Sequence, residues 1–151
     1  MSNIKNVKFG EDVSIVGPVN LYGCKIGNNV KIGPFVEIQS DVEIGDNTTI
    51  SSHSFIPSGV KIGKNVFIAH SVMFTNDVFD SESIENWKFK PTIVGDRVRI
   101  GSNSTILPVK IGNNVIIGAG SVVTKDVPDN VTIYGNPAKI KINKWKKKKF
   151  A

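Results

Sequence analysis

Aliphatic side chains recur at every sixth position along most of this chain, with glycine, asparagine and other polar residues between them. The stretch from Ile26 to Ile68 keeps the period without interruption. Eighteen anchor positions follow it: Phe9, Ile15, Leu21, Ile26, Ile32, Ile38, Ile44, Ile50, Ile56, Ile62, Ile68, Phe74, Val94, Ile100, Ile106, Ile111, Ile117 and Val123. A period of six matches neither an α-helix, which repeats about every 3.6 residues, nor a plain strand, which repeats about every two. It is typical of a short strand followed by a tight corner.

Residues that suit corners and narrow interiors complete each repeat. Nine anchors are followed by Gly, and the fourth residue after most anchors is a second small or β-branched residue. Hexapeptide repeats are the sequence signature of a β-solenoid, in which stacked coils bury a continuous core. Since three repeats make one triangular coil, we predict an all-β parallel β-helix of about six coils, stacked ~4.8 Å apart.

The largest interruption lies between Phe74 and Val94. Residues 75–92 read as a loop extruded from one corner, with acidic and aromatic residues that suit a binding arm. Unstructured loops of this length are uncommon in compact domains and are often functional. Two shorter interruptions, at Leu21–Ile26 and Ile106–Ile111, indicate tightened corners.

Charge separates the C-terminal end from the rest of the chain. The net charge is +6, but residues 139–151 hold seven lysines and no acidic residue, so the remainder carries −1. We therefore predict a β-helix domain over residues 1–138, closed by a cap, and a basic tail over 139–151. The tail is a candidate for weak contact with an anionic membrane surface or for a short helix. No nucleic-acid partner is expected. A lone cysteine, Cys24, and an N-terminus without an apolar stretch favour a reducing, cytoplasmic location.

Two stretches carry a family resemblance: Ile117-Gly-Ala-Gly-Ser-Val-Val-Thr-Lys-Asp-Val-Pro128 and Gly135-Asn-Pro-Ala-Lys139. With the repeat, they resemble the hexapeptide acyltransferases, which fold as left-handed parallel β-helices and assemble as homotrimers. Val72-Met-Phe-Thr-Asn-Asp77 resembles the members that acetylate nucleotide-linked amino sugars for bacterial surface polysaccharides, including lipopolysaccharide O-antigen. The resemblance implies acetyl-CoA as co-substrate, no metal, and a coenzyme cleft along the C-terminal coils. Its expected cofactor-binding residues are Ser102, Gly118, Ala119, Lys125, Pro137 and Lys139.

Three residues are candidates for catalysis on such an acceptor. Asn76 and Asp77 open the long loop, where an amide or carboxylate could orient the amine, and His70 could act as a general base. His70 precedes Asn76 by six residues, so the two occupy successive corners and could share a site only across a subunit boundary or if the loop folds back. Asn76 and Asp77 are also common turn residues.

Four further residues are candidate substrate contacts: His53, Phe74, Trp87 and Phe89. His53 and His70 are seventeen residues apart, nearly one coil, so we expect them at the same corner of adjacent coils. Trp87 and Phe89 suit stacking on a nucleotide base, and they equally suit packing that pins the loop.

We predict an acetyl-CoA-dependent N-acetyltransferase. An O-acetyltransferase is the alternative within the same class, and it would need a stronger base. A carbonic-anhydrase-like zinc site is disfavoured because it needs three imidazoles and the chain has two histidines. A non-catalytic solenoid is disfavoured by the two coenzyme stretches.

Overall fold

A computed structural model of the protein describes residues 1–141. The chain winds as a parallel β-solenoid of the left-handed β-helix class, with about seven turns. Each turn contributes one short strand to each of three sheets, which form the sides of a triangular prism. We call them sheets A, B and C, and number the strands in chain order.

Sheet A contains β1 (Asn3–Lys5), β4 (Asn20–Tyr22), β7 (Glu37–Ile38), β10 (Phe55–Ile56), β13 (Met73–Phe74), β16 (Thr105–Ile106) and β19 (Val122–Val123). Sheet B contains β2 (Lys8–Phe9), β5 (Lys25–Ile26), β8 (Glu43–Ile44), β11 (Lys61–Ile62), β14 (Ile93–Val94) and β17 (Lys110–Ile111). Sheet C contains β3 (Ser14–Ile15), β6 (Lys31–Ile32), β9 (Thr49–Ile50), β12 (Phe67–Ile68), β15 (Arg99–Ile100), β18 (Ile116–Ile117), β20 (Thr132–Gly135) and β21 (Ala138–Lys141). One 3-10 turn, Ile84–Asn86, lies in the long loop.

The predicted anchors form the core. From Leu21 to Val123 every anchor side chain is at most 4% exposed, and each is stacked on the anchors of the coils above and below. Burying a side chain of this kind stabilises the fold by roughly 1.5–3 kcal/mol. Phe9, in the first coil, is 43% exposed because no coil lies below it.

Left-handed backbone conformations turn the chain at the corners. At the corner between sheets B and C, Asn29, Asn47 and Asn65 have φ between +53° and +57°. Asparagine tolerates this conformation better than most residues. The Asn29 Nδ2 group donates to Asn47 Oδ1 at 2.8 Å, so the corner side chains also link adjacent coils. The Asn28 backbone N–H donates to Asp46 and, with Lys64, lowers the pKa of that carboxyl group.

The structure extends the predicted repeat at both ends. Ile4 adds a strand before Phe9, which the sequence pattern missed, so the turns number about seven rather than about six. At the other end β20 and β21 form an antiparallel hairpin, which is the expected cap. The predicted boundary at residues 138/139 falls inside β21. The remaining tail, including the predicted terminal helix and membrane contact, lies outside the described residues.

Candidate functional site

The long loop begins at the corner between sheets A and B, directly after β13. The Asn76 side chain lies at its base, where Nδ2 donates to the Ser58 carbonyl at 3.5 Å. Within the described part of the chain, the side-chain oxygen of Asn76 accepts no hydrogen bond. The neighbouring Thr75 hydroxyl is buried and also lacks a partner among the described residues. Asn76 therefore offers a free acceptor at the mouth of the loop.

Three contacts hold the loop in its folded shape, and one of them, from Phe89 to Gly59, ties it to the solenoid. The Lys90 N–H donates to the Asn76 backbone carbonyl at 2.8 Å, which closes the loop at its base. The Lys90 ammonium pairs with Asp80 and lowers the pKa of that carboxyl group. The Phe89 ring packs on Gly59, whose φ of +86° and missing side chain leave room for it. Phe89 thus serves the packing role that we considered beside base stacking.

The folded loop encloses a hollow of about 430 Å³. Asp77, Phe79, Ile84 and Trp87 line it together with three polar residues, Ser81, Glu82 and Ser83. Trp87 presents part of its ring to this space, and its role as a substrate contact stays a prediction. One oxygen of Asp77 is occupied, because it accepts the Phe79 N–H at 2.7 Å in a local turn. Its other oxygen is the candidate proton acceptor.

Both histidines lie at the corner between sheets C and A, on adjacent coils. Ser52 Oγ and His70 Nδ1 are 2.8 Å apart, so the hydroxyl fixes the orientation of the His70 ring. His53, the next residue after Ser52, stacks on Phe35 with ring centroids 4.8 Å apart. His70 also borders a hollow of about 350 Å³ on the outer face of sheet C.

His70 and Asn76 do not meet within one subunit. Strand β13 runs between them, so they sit at opposite ends of one strand of sheet A. The loop folds onto Gly59 and stays at the Asn76 end. Only a neighbouring copy could bring a His70 to this Asn76.

One predicted substrate contact is wrong. The Phe74 side chain is 1% exposed and lies in the core, because it occupies an inward anchor position of the repeat. A buried anchor cannot touch a ligand, so Phe74 supports the strand that carries Asn76 rather than binding a substrate.

Apart from Gly118, the predicted coenzyme residues lie at three places near the C-terminal end of the solenoid. Lys125 and Lys139 both border a hollow of about 270 Å³ between the last coil and the hairpin. Ser102 and Ala119 lie at the corner between sheets C and A, where Gly120 N–H donates to the Ser102 carbonyl at 2.8 Å. Pro137 lies in the hairpin turn between β20 and β21.

Gly118 is covered rather than open. Tyr134 of β20 stacks directly above it, and a side chain at Gly118 would collide with Tyr134 Cβ. The glycine therefore makes room for the hairpin, and a coenzyme would meet Tyr134 before it met the Gly118 backbone.

A polar network on the outer face of sheet A escaped the sequence analysis. Asn20 Nδ2 and Gln39 Nε2 each donate to one oxygen of Glu37, at 3.0 and 2.8 Å. Gln39 Oε1 accepts the Ser58 N–H at 3.2 Å, which joins the network to the peptide that contacts Asn76. The sequence pattern that could have predicted this network is the series of amide and carboxyl residues at outward positions of consecutive repeats.

Other chemistry is limited in the described region. Burial raises the pKa of the Cys24 thiol to about 11, so it is a poor nucleophile at neutral pH. Residues 1–141 contain no cluster of three His, Cys, Asp or Glu side chains placed to hold a metal ion. No helix within that range is long and apolar enough to span a bilayer.

Two family descriptions match the repeat. Residues 23–58 match "Bacterial transferase hexapeptide (six repeats)", and residues 91–125 match "Hexapeptide repeat of succinyl-transferase". The chain belongs to the hexapeptide-repeat acyltransferase family. The matched stretches flank the long loop, which is thus an insertion between regular family repeats.

Known proteins resemble the chain over most of its length. The bifunctional protein GlmU of Thermosipho africanus is 35% identical over 173 aligned positions, covering 95% of this chain. The chain spans only 34% of that relative, about a third of its length. The acetyltransferase VCA0836 of Vibrio cholerae, solved with acetyl coenzyme A, is 29% identical with a TM-score of 0.64, covering 87% of this chain and 67% of its own. AntD of Bacillus cereus, an N-acyltransferase, is 24% identical with a TM-score of 0.69, covering 90% and 82%.

Proposed function

We propose that the protein transfers the acetyl group of acetyl-CoA to the amino group of a nucleotide-linked amino sugar, for a bacterial surface polysaccharide such as lipopolysaccharide O-antigen. The observation that carries this proposal is the free side-chain oxygen of Asn76 at the base of the loop, next in the chain to Asp77, which lines the loop hollow. An amine N–H is the natural donor to such an oxygen. AntD was solved with dTDP-4-amino-4,6-dideoxyglucose and coenzyme A, so the fold is compatible with this acceptor class.

The reaction needs placement more than covalent catalysis. The neutral amine attacks the thioester carbonyl, a C–N bond forms, the C–S bond breaks, and the coenzyme leaves as its thiol after taking up a proton. Asn76 holds the amine in line, while His70 of a neighbouring subunit or the free oxygen of Asp77 receives the amine proton. Backbone N–H groups at a corner supply the oxyanion donors. Holding the amine and the thioester in the right geometry supplies much of the rate enhancement in a reaction of this kind.

The C-terminal hollow is the proposed coenzyme site. Lys125 follows β19 and Lys139 lies in β21, so two separate segments of the chain bring a lysine to the hollow. A lysine ammonium binds phosphate as a point charge. Ser102, Ala119 and Pro137 extend the site along the neighbouring corner, and Tyr134 replaces the predicted contact at Gly118.

Replacing Lys139 by Glu should raise the KM for acetyl-CoA about tenfold or more and leave kcat nearly unchanged. The substitution removes binding that is equal in the ground and transition states. Steady-state kinetics over a range of acetyl-CoA concentrations measure both constants. Lys8→Glu is the matched control, since it makes the same charge change on β2, at the opposite end of the solenoid from the hollow. Equal KM values for both variants would remove Lys139 from the site.

A homotrimer is part of the proposal, because Asn76 and His70 can complete one site only between copies. Sheet A has three apolar outward residues, Phe55, Met73 and Val122, beside the polar Asn20, Glu37 and Thr105. Sheet B presents Lys8, Lys25, Lys61 and Lys110 instead. Apolar outward residues suit burial between subunits, whereas a row of lysines suits solvent.

Light scattering should give three times 16.4 kDa for the protein, and Met73→Asp should lower that mass. The change places a charge in the proposed contact without touching the core, because Met73 points outward. Lys61→Asp on sheet B should leave the mass unchanged. An active monomer, or a Met73→Asp variant that stays trimeric, would contradict the assignment of sheet A.

The contact between Ser52 and His70 favours one second candidate, O-acetylation. A hydroxyl acceptor must lose its proton during attack, so a histidine held in one orientation is worth more there than for an amine. A comparison of kcat/KM between Asn76→Ala and His70→Ala separates the two acceptor classes. A cytoplasmic location and membrane contact through the tail stay predictions.

A further inference from the structure

The corner between sheets C and A carries two large rings where the backbone disfavours them. Phe35 and His53 have φ of +61° and +62°, a conformation that costs a non-glycine residue roughly 1–2 kcal/mol. The corner between sheets B and C uses asparagine at most of its equivalent positions. Phe35 is nevertheless 56% exposed, so its ring adds little to the core. Unfavourable backbone conformations of this kind concentrate at functional sites.

The two rings form one surface. Their centroids are 4.8 Å apart and their planes are tilted by 30°, so they stack across adjacent coils. An exposed pair of stacked aromatic rings is suited to extend its stack onto a planar ligand.

The sheet C hollow begins at the residues next to this aromatic pair, and Phe35 itself borders a further hollow of about 310 Å³ on the sheet A side. Pro34 and Ser52, which immediately precede the two rings in the chain, belong to its lining. Lys31 supplies a cation, Thr49 and Ser51 supply hydroxyl groups, and His70 stands at the rim. The lining contains no carboxylate, and Lys31 makes no ion pair within residues 1–141. The hollow is therefore suited to an anionic, hydrogen-bonding ligand.

We propose that Phe35, His53 and the adjoining hollow bind the nucleoside diphosphate of the acceptor. The base stacks on the aromatic pair, the diphosphate lies against Lys31, and the sugar extends towards His70. This inference rests on the proposed function and adds the part of the site that recognises the nucleotide. It places that part on the sheet C side of one subunit, with Asn76 and the loop supplied by a neighbour.

Calorimetry on the full chain with UDP and with dTDP tests the site, and uridine and pyrophosphate separate the ring from the phosphates. Phe35→Asn should weaken UDP or dTDP binding roughly five- to 150-fold, the range for loss of one stacked base. It should weaken uridine binding likewise and leave pyrophosphate unaffected. Lys31→Ala should weaken binding of the diphosphates and pyrophosphate several-fold, whereas Lys110→Ala should not.

Asparagine at position 35 separates a ligand-binding role from a structural one. Because asparagine accepts the left-handed conformation, Phe35→Asn should keep or raise the melting temperature, and the particle mass should not change. Loss of trimers in Phe35→Asn would show that the rings are a subunit contact and would overturn the inference. Unchanged UDP and dTDP affinity would overturn it as well, and a loss of affinity in Trp87→Ala alone would place the base in the loop hollow.

Failure of this inference and failure of the proposed function give different results. A protein that binds acetyl-CoA and transfers acetyl to a simple amine, but binds neither UDP nor dTDP, lacks the nucleotide site and keeps its acyltransferase activity. A protein that binds UDP or dTDP but not acetyl-CoA keeps the nucleotide site and lacks the proposed function.

Discussion

Replacing Asn76 by alanine should lower kcat/KM for the best amino-sugar acceptor roughly 100-fold or more, and at least as much as replacing His70 by alanine. The side-chain oxygen of Asn76 is free to hold the amine, and misplacement of a reacting group by about 1 Å costs on the order of 10²-fold. A general base contributes ~10²–10⁴-fold where it is required. An amine can lose its proton to solvent before it binds, so placement is the step that the protein must supply.

Steady-state kinetics with acetyl-CoA and a panel of nucleotide-linked amino sugars measure both variants. Asn76→Asp is the matched control for Asn76→Ala, because it keeps an oxygen acceptor at the same position. Ser52→Ala is the corresponding control for His70→Ala, because it frees the ring without removing it. For a hydroxyl acceptor the order should reverse, since the alcohol must be deprotonated during attack. A far larger loss in His70→Ala than in Asn76→Ala would therefore favour O-acetylation over the N-acetylation proposed here.

Replacing residues 79–90 by a short Gly-Ser link should abolish acetyl transfer and leave acetyl-CoA binding intact by calorimetry. The hydrogen bond from Lys90 N–H to the Asn76 carbonyl shows that the two ends of the loop are close, so a short link can span them. Strand β14 is held by its own pairing with β11 and β17, so the solenoid should keep its register. Removal of the loop eliminates the hollow that Asp77 lines beside Asn76. Loss of acetyl-CoA binding together with activity would point to a folding role for the loop.

Gly59→Ala tests the same loop by adding a single methyl group. The added methyl group would collide with the Phe89 ring and release the loop from the solenoid. Gly120→Ala is its control, since Gly120 also has a positive φ but has open space where the methyl group would lie. Both variants should lose stability through the backbone conformation, by ~1–2 kcal/mol. Only Gly59→Ala should make residues 75–92 sensitive to limited proteolysis, which is the measurement that compares the two variants. Equal behaviour of the two variants would contradict the anchoring role of Phe89.

The six-residue period by itself determined the architecture. A repeat in which every anchor must point inward leaves one arrangement of strands and corners, so the core from Leu21 to Val123 follows directly from sequence spacing. The period also located the loop, because residues 75–92 cannot be fitted to it. The same reasoning placed His53 and His70 at one corner, since they are almost one turn apart. It missed Ile4, which precedes Phe9 by five residues rather than six, and it predicted a cap without predicting that the cap is a hairpin.

The function of outward-facing residues was decided only by tertiary structure. The interrupted period places Phe89 in the loop, but only the folded structure shows that its ring packs on Gly59. Tyr134 covers Gly118 because the hairpin turns back over the last coil, a contact between segments that no local motif records. The Phe35–His53 stack and the Ser52–His70 contact each join residues eighteen positions apart, and the orientation of these side chains depends on the adjacent coil. Inward positions are fixed by the need to bury apolar surface, which sequence periodicity reveals, whereas outward positions depend on neighbours that only the stacked coils bring together.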